Sequence, residues 1–137
     1  MSGSVKNNVL QPFFKEKFPN MKTYLYLCGM ERKIMYYKNY FPDFFASLTA
    51  GAKRKMAYVL DMLKTQQRPS QNFVKHIREG VFELRAQHDG NIYRAFFIFD
   101  GNNIVMLFHG FQKKTQKTPQ NEIEKAIRLK NEYYAGK

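Results

Sequence analysis

Between Val81 and His109 the hydrophobic pattern has a period of two and is cut twice by turn-forming residues; no other stretch constrains the fold as much. Val81, Glu83, Arg85 and Gln87 alternate with Phe82, Leu84 and Ala86, so the two sets point to opposite sides of a strand. His88-Asp89-Gly90-Asn91 follows, a run of residues that tolerate positive φ. Ile92 to Phe99 is almost wholly apolar, as a central strand buried on both faces is, and Arg94 is its one charged member. Asp100-Gly101-Asn102-Asn103 is a second turn, and Ile104 to His109 a third strand. Strands joined by such short connections run antiparallel, so an antiparallel meander is expected.

Upstream the period lengthens. Lys33 to Tyr37 is β-rich and reads as a first strand. Phe41, Phe44, Phe45 and Leu48 then recur at helical spacing, and Ala52, Met56, Val59, Leu60 and Leu63 form a second stripe, with Gly51 as the break between them. The two stripes predict a helical hairpin. Gln66 to Asn72, with Pro69 and Ser70, is a loop. After the meander comes a basic loop, Gly110 to Lys117. Thr118 is the predicted N-cap of a last helix, with Pro119 at its first position. Glu122 and Glu124 stand early in that helix and Arg128 and Lys130 later, as the helix dipole favours. Ile123, Ala126, Ile127 and Tyr134 form its inner face. The expected order is β-α-α-β-β-β-α: an α+β domain with a helical hairpin packed on an antiparallel sheet and a short C-terminal helix. Residues 1–29 lack such patterning and read as an N-terminal extension to a domain spanning 30–137, with Met30 as an alternative translation start.

A chain of 137 residues suits one domain. Its 44% apolar and 25% charged residues place it among globular proteins. The single cysteine, Cys28, excludes an internal disulfide and a cysteine-built zinc cage, and fits a reducing compartment. No apolar run approaches the roughly 20 residues of a membrane span, and the polar start does not read as a secretory signal, so a cytoplasmic protein without membrane association is expected. The 23 Lys and Arg against 11 Asp and Glu leave a net charge of +12. That surplus points to a polyanionic partner, the alternative being a surface charged only for solubility.

The sequence holds no P-loop, GxGxxG, HExxH or nucleophile elbow. His76, His88 and His109 lack metal-ligand spacing, so neither metal nor cofactor is expected. Arg94 is the informative residue, because an arginine in an apolar strand is costly unless it is paired or reaches solvent. It either pairs with Glu83 on the neighbouring strand or serves as a rigidly held phosphate clamp, for which a planar, permanently charged fork is suited. Arg85 precedes it across a short hairpin and makes a cationic platform with it if the two share a face. Lys113, Lys114, Thr115 and Lys117 form a phosphate-contact pattern in the basic loop, unless that loop is merely solvated. Lys75 and Arg78 belong to the same basic run and are further candidate nucleic-acid contacts. Tyr93 is a candidate for stacking on a base, the alternative being a place in the core.

From Met30 to Lys137 the chain resembles the HigB-like, phage-derived branch of the RelE/ParE toxins. The segments that carry the resemblance are YYKNYFPDFFASL (Tyr36 to Leu48), REGVFELR (Arg78 to Arg85), GNIYRAFFIFD (Gly90 to Asp100) and HGFQKKTQKTP (His109 to Pro119), the last followed by NEIEKA. The resemblance implies a compact α+β toxin of a type II toxin–antitoxin pair that cuts mRNA on the ribosome without a metal. The 2′-hydroxyl would attack the adjacent phosphate and leave a 2′,3′-cyclic phosphate. It also implies the roles: Arg94 as main phosphate clamp, Arg85, Lys113 and Lys114 as further catalytic cations, and Glu83 or His109 as proton carriers. The implied partners are a helix-turn-helix antitoxin, the ribosome with its mRNA, and operator DNA through the antitoxin. A ParE-like gyrase poison and a non-catalytic RNA-binding domain are the alternatives on the same fold.

Overall fold

The computed structural model describes residues 31–101, 103–115 and 117–137; the expectations for residues 1–29, Met30 and Cys28 lie outside them. The element order is β1 (Lys33–Tyr36), α1 (Tyr40–Ala46), α2 (Ala50–Thr65), β2 (Val74–Arg78), β3 (Val81–His88), β4 (Asn91–Asp100), β5 (Ile104–Lys113) and α3 (Gln120–Ala135). The fold is α+β, with a five-stranded sheet of order β1-β5-β4-β3-β2. β3, β4 and β5 form the expected antiparallel meander, β2 adds to it antiparallel to β3, and β1 joins β5 in parallel, so the sheet is mixed.

Tight turns set the register. Glu79-Gly80 and Asp89-Gly90 each place two consecutive residues at positive φ, 52° and 79° in the first, 52° and 78° in the second. Two such residues make the primed turn whose twist matches its flanking strands, and the glycine bears the second position without a Cβ clash. The first turn creates β2, a strand that the sequence reading missed. Only Val74 and Ile77 of its five residues are even partly withdrawn from solvent, so this edge strand carries almost no apolar alternation.

Each sheet face has its own core. Leu84, Ala86, Ala95, Phe97 and Leu107 pack with Met56, Val59 and Leu63 of α2 and with Phe41 of α1. α1 rests mainly on β5 and α2 on β3, so the expected hairpin is two helices, each docked on its own strand. On the opposite face Val81, Phe96, Ile98, Met106 and Phe108 pack against Ala126 and Leu129 of α3. Fully burying one such large side chain contributes about 1.5–3 kcal/mol.

Three expected boundaries move. Gly51 lies within the first turn of α2, which is capped by the Thr49 side chain accepting from the Ala52 N–H at 3.2 Å. The absent side chain leaves room for the His88 ring, which a Cβ at this position would displace. β5 continues to Lys113, absorbing the first four residues of the expected basic loop. α3 spans 16 residues rather than being short, and Pro119 stands at its N-cap, so Thr118 is left free to bond elsewhere.

Candidate nucleic-acid interface

Register decides which charges meet. The β3–β4 hairpin pairs Arg85 directly with Arg94, so both side chains leave the same sheet face. The Arg85 N–H turns away from β4 to donate to the Phe73 carbonyl at 2.7 Å. Arg85 and Arg94 therefore form a pair that exchanges no backbone bonds, the kind with Cα atoms only about 4.5 Å apart. Glu83, two residues before Arg85, points to the same face, and β2 places Lys75 opposite it. On the other side of β4, Arg94 faces Phe111 and Ile92 faces Lys113.

A bulge between the Ala95 and Phe97 pairings inserts one residue into β5. Phe108 and His109 both turn toward α3 there: Phe108 enters its core, and the His109 Nε2 meets Glu122 Oε1 at 3.0 Å. Past the bulge, alternation resumes on the Arg94 face with Phe111 and Lys113.

Glu83 is the centre of the resulting cluster. Its carboxylate is 1% exposed. Oε1 lies 3.4 Å from Arg94 Nε and 3.6 Å from Arg85 Nε, and Oε2 accepts from the Thr118 hydroxyl at 2.7 Å. Arg94 is buried and donates through one terminal nitrogen to the Tyr93 carbonyl at 3.0 Å. Arg85 is partly exposed. Among the described residues the Nε–H groups of both arginines are buried without a hydrogen-bond partner, so the attraction to Glu83 is coulombic and leaves donors unused. Of the alternatives posed for Arg94, the pairing with Glu83 is present, and Arg85 stands beside it on the same face.

Burial pulls the Arg94 guanidinium below its usual range, with Glu83 opposing and Arg85 adding to the fall. It remains charged, because arginine starts so high. Burial likewise pushes the Lys113 ammonium down; Arg94, Arg85 and Lys75 press the same way, against Glu83. Two guanidiniums thus flank one buried carboxylate, with Lys75 opposite it by register and Lys113 near enough to feel the same charges.

The other predicted residues divide. Lys114, Thr115 and Lys117 follow β5 on the exposed segment leading to α3, where the Thr115 hydroxyl donates to the Lys117 carbonyl at 2.9 Å. Arg78 is exposed at the far end of β2, 4.0 Å from Glu79, and its guanidinium reaches the Gln120 amide oxygen at the start of α3. His109 lies on the α3 side of Phe96, which also stacks on Phe111. Burial holds its imidazole below the usual range, and the Glu122 hydrogen bond only partly compensates. Tyr93 corrects an expectation: it is 5% exposed and packs in the core of the helix-covered face, back to back with Arg94. A strand of unbroken apolar residues does not reveal which set faces which side, and only the register does. Thr118 is a site residue that the sequence reading assigned to the helix cap instead.

Among the described residues no three His, Cys, Asp or Glu side chains gather into a metal-binding group, and no helix is long and apolar enough to cross a membrane. The fold and the cationic cluster together define a basic α+β domain with arginines paired around a buried carboxylate on one sheet face. The model of the phage-derived Gp49-like family (DUF891) matches residues 43–131, and the chain belongs to that family, a toxin family of the RelE/HigB toxin–antitoxin kind. No curated protein matches it.

Proposed function

We propose that this protein is the toxin of a type II toxin–antitoxin module and acts as a ribosome-dependent mRNA endoribonuclease. The observation that carries this reading is the pairing of Arg85 and Arg94 with buried Glu83, with Lys75 and Lys113 nearby, within the matched family segment. Residues 30–137 form the RelE/ParE-type domain, with 1–29 as an extension.

Arg94 and Arg85 receive the scissile phosphate on their terminal guanidinium nitrogens, their Nε–H groups being buried against Glu83, and Lys113 and Lys114 approach from β5 and the segment after it. The 2′-oxygen of the preceding ribose forms a bond to phosphorus as its proton passes to water. The P–O5′ bond breaks, and the 5′-oxygen takes a proton from the Lys113 ammonium, made more acidic by burial and its cationic neighbours. The products are a 2′,3′-cyclic phosphate and a 5′-hydroxyl. Positioned charge supplies most of the acceleration, as negative charge builds on the phosphoryl oxygens. Glu83 is a positioning residue: its carboxylate is committed to two guanidiniums and Thr118. His109, committed to Glu122, holds α3. An antitoxin with a helix-turn-helix and an acidic segment covers the cluster and tethers the complex to operator DNA.

Incubation with ribosomes and a defined message tests the reading: new 5′ ends should fall within translated codons and vanish with Arg94→Ala. Supercoiling defects with intact mRNA would move the chain to the gyrase poisons. The commitment of both Glu83 and His109 favours one other reading, a non-catalytic RNA-binding domain, which would bind the same message and produce no new ends.

A further inference from the structure

β3 outruns β2. The last paired residue on that side is Leu84, opposite Val74, and the Arg85 N–H reaches back to Phe73. Beyond it, Ala86 and Gln87 border a groove of about 660 Å³. The groove starts at Arg94 and Arg85, crosses the free edge of β3, and ends on α2 at Lys55 and on the β2 approach at Asn72 and Phe73. Asp89 is its one carboxylate, against the three cations Lys55, Arg85 and Arg94. It therefore continues the Glu83-centred cluster around the sheet edge to a helix that the sequence reading treated only as core support.

The far end pairs a cation with an exposed aromatic ring. Tyr58, one helical turn after Lys55, is 52% exposed, and its ring meets Phe73 edge-on at 6.2 Å between centroids. The Lys55 ammonium lies 5.5 Å from the Tyr58 centroid, and among the described residues no carboxylate lies within salt-bridge distance of it. An exposed cation–π contact is weak and readily exchanged.

We propose that this groove is a second nucleotide subsite of the same RNA-binding surface, taking the nucleotide next to the one held at Arg94. Lys55 grips its phosphate, and Tyr58, propped by Phe73, stacks on its base. A phosphate that draws the Lys55 ammonium off the ring bares the ring face to that base. Stacking on an aromatic ring accepts every base, so the subsite positions the strand without reading its sequence. The inference rests on the RNA reading given above and adds residues on α2 to it.

Binding of an uncleavable, fully 2′-O-methylated single-stranded RNA tests it, measured by fluorescence anisotropy with a decamer and a trimer. With the decamer, Tyr58→Ala should weaken binding by at least about 5-fold. Lys55→Ala should flatten the dependence of log affinity on log salt by about 0.7. Both variants should also weaken binding of the trimer, which is long enough to span the two adjacent subsites, and Arg94→Ala should weaken binding of both RNAs. If Lys55→Ala and Tyr58→Ala bind the decamer normally while Arg94→Ala does not, the subsite is wrong and the RNA reading stands. If Arg94→Ala also binds normally, or the unaltered protein binds neither RNA, both fall. Protection of the Lys55 amine from acetylation by an acidic polypeptide but not by the decamer would assign the groove to a protein partner and overturn the subsite.

Discussion

One sheet face of this protein is divided between two kinds of surface, and the same three strands build both. Toward the end of β4, Phe96 and Ile98 lie with Val81, Met106 and Phe108 beneath α3, in a dry apolar layer. Toward its start, Arg94 lies with Glu83, Arg85 and Lys113, where α3 does not reach. Strand propensity and alternation are alike in both halves; what differs is the cover. α3 begins only at Gln120, after the exposed Lys114–Lys117 segment, and its first turn holds on through His109–Glu122 while Thr118 reaches Glu83. The covered half is apolar throughout, while the open half, beyond the helix start, buries Glu83, Arg94 and Lys113 and leaves Arg85 partly exposed at its surface.

The largest effect on folding belongs to the covered half. Phe108→Ala should cost about 3–5 kcal/mol in urea unfolding, the range for emptying a fully buried aromatic site. RNA affinity per folded molecule should hold; if it falls as far as with Arg94→Ala, the two halves are not separable. The largest effect on activity belongs to the open half. Arg94→Ala should lower cleavage about 10²–10³-fold, the scale for removing one donor aimed at developing charge. Arg94→Lys should keep the melting temperature closer to normal, because Glu83 keeps a counter-charge, yet should not restore the rate without the guanidinium fork.

Smaller effects probe the border. Thr118→Val leaves one oxygen of a buried carboxylate unsatisfied and should cost about 1–3 kcal/mol, read by the same unfolding experiment. The smallest is a pH effect on α3 docking. Burial lowers the folded-state pKa of His109 from its ordinary 6.5, with Glu122 opposing and Lys125 and Arg128 adding to the fall. The unfolded chain therefore takes up the proton first as pH drops. Stability from this group is complete above 6.5 and declines below it until His109 protonates in the folded state. The slope cannot exceed about 1.4 kcal/mol per pH unit. His109→Asn should remove that part of the slope, and an unchanged acid limb would assign it to other groups.

The open half was legible in the sequence to the extent that turns announce register. Asp89-Gly90 marks the hairpin that sets Arg85 against Arg94, and Arg94 draws attention as a charge in an apolar strand. Tyr93 could not be placed in the same way, since residues 92–99 are apolar on both faces apart from Arg94, and alternation is silent there. β2 escaped because an edge strand exposes most of its side chains, and Lys75 lost its place in the cluster with it. Gly51 was misread because a glycine that makes room for a neighbouring His88 ring looks, in one dimension, like a helix break. The groove joining Arg94 to Lys55 had no local signal at all: it exists because β3 is longer than its neighbour.

The salt dependence of single-stranded RNA binding tests most directly whether the uncovered half is a phosphate-gripping surface. For each phosphate held, the slope of log affinity against log salt steepens by about 0.7. The paired substitution Arg85→Ala with Arg94→Ala, which share one phosphate, should shallow the slope by about 0.7, while Phe108→Ala leaves it unchanged. A flat slope in the unaltered protein, or one left unchanged by loss of both arginines, would contradict the account.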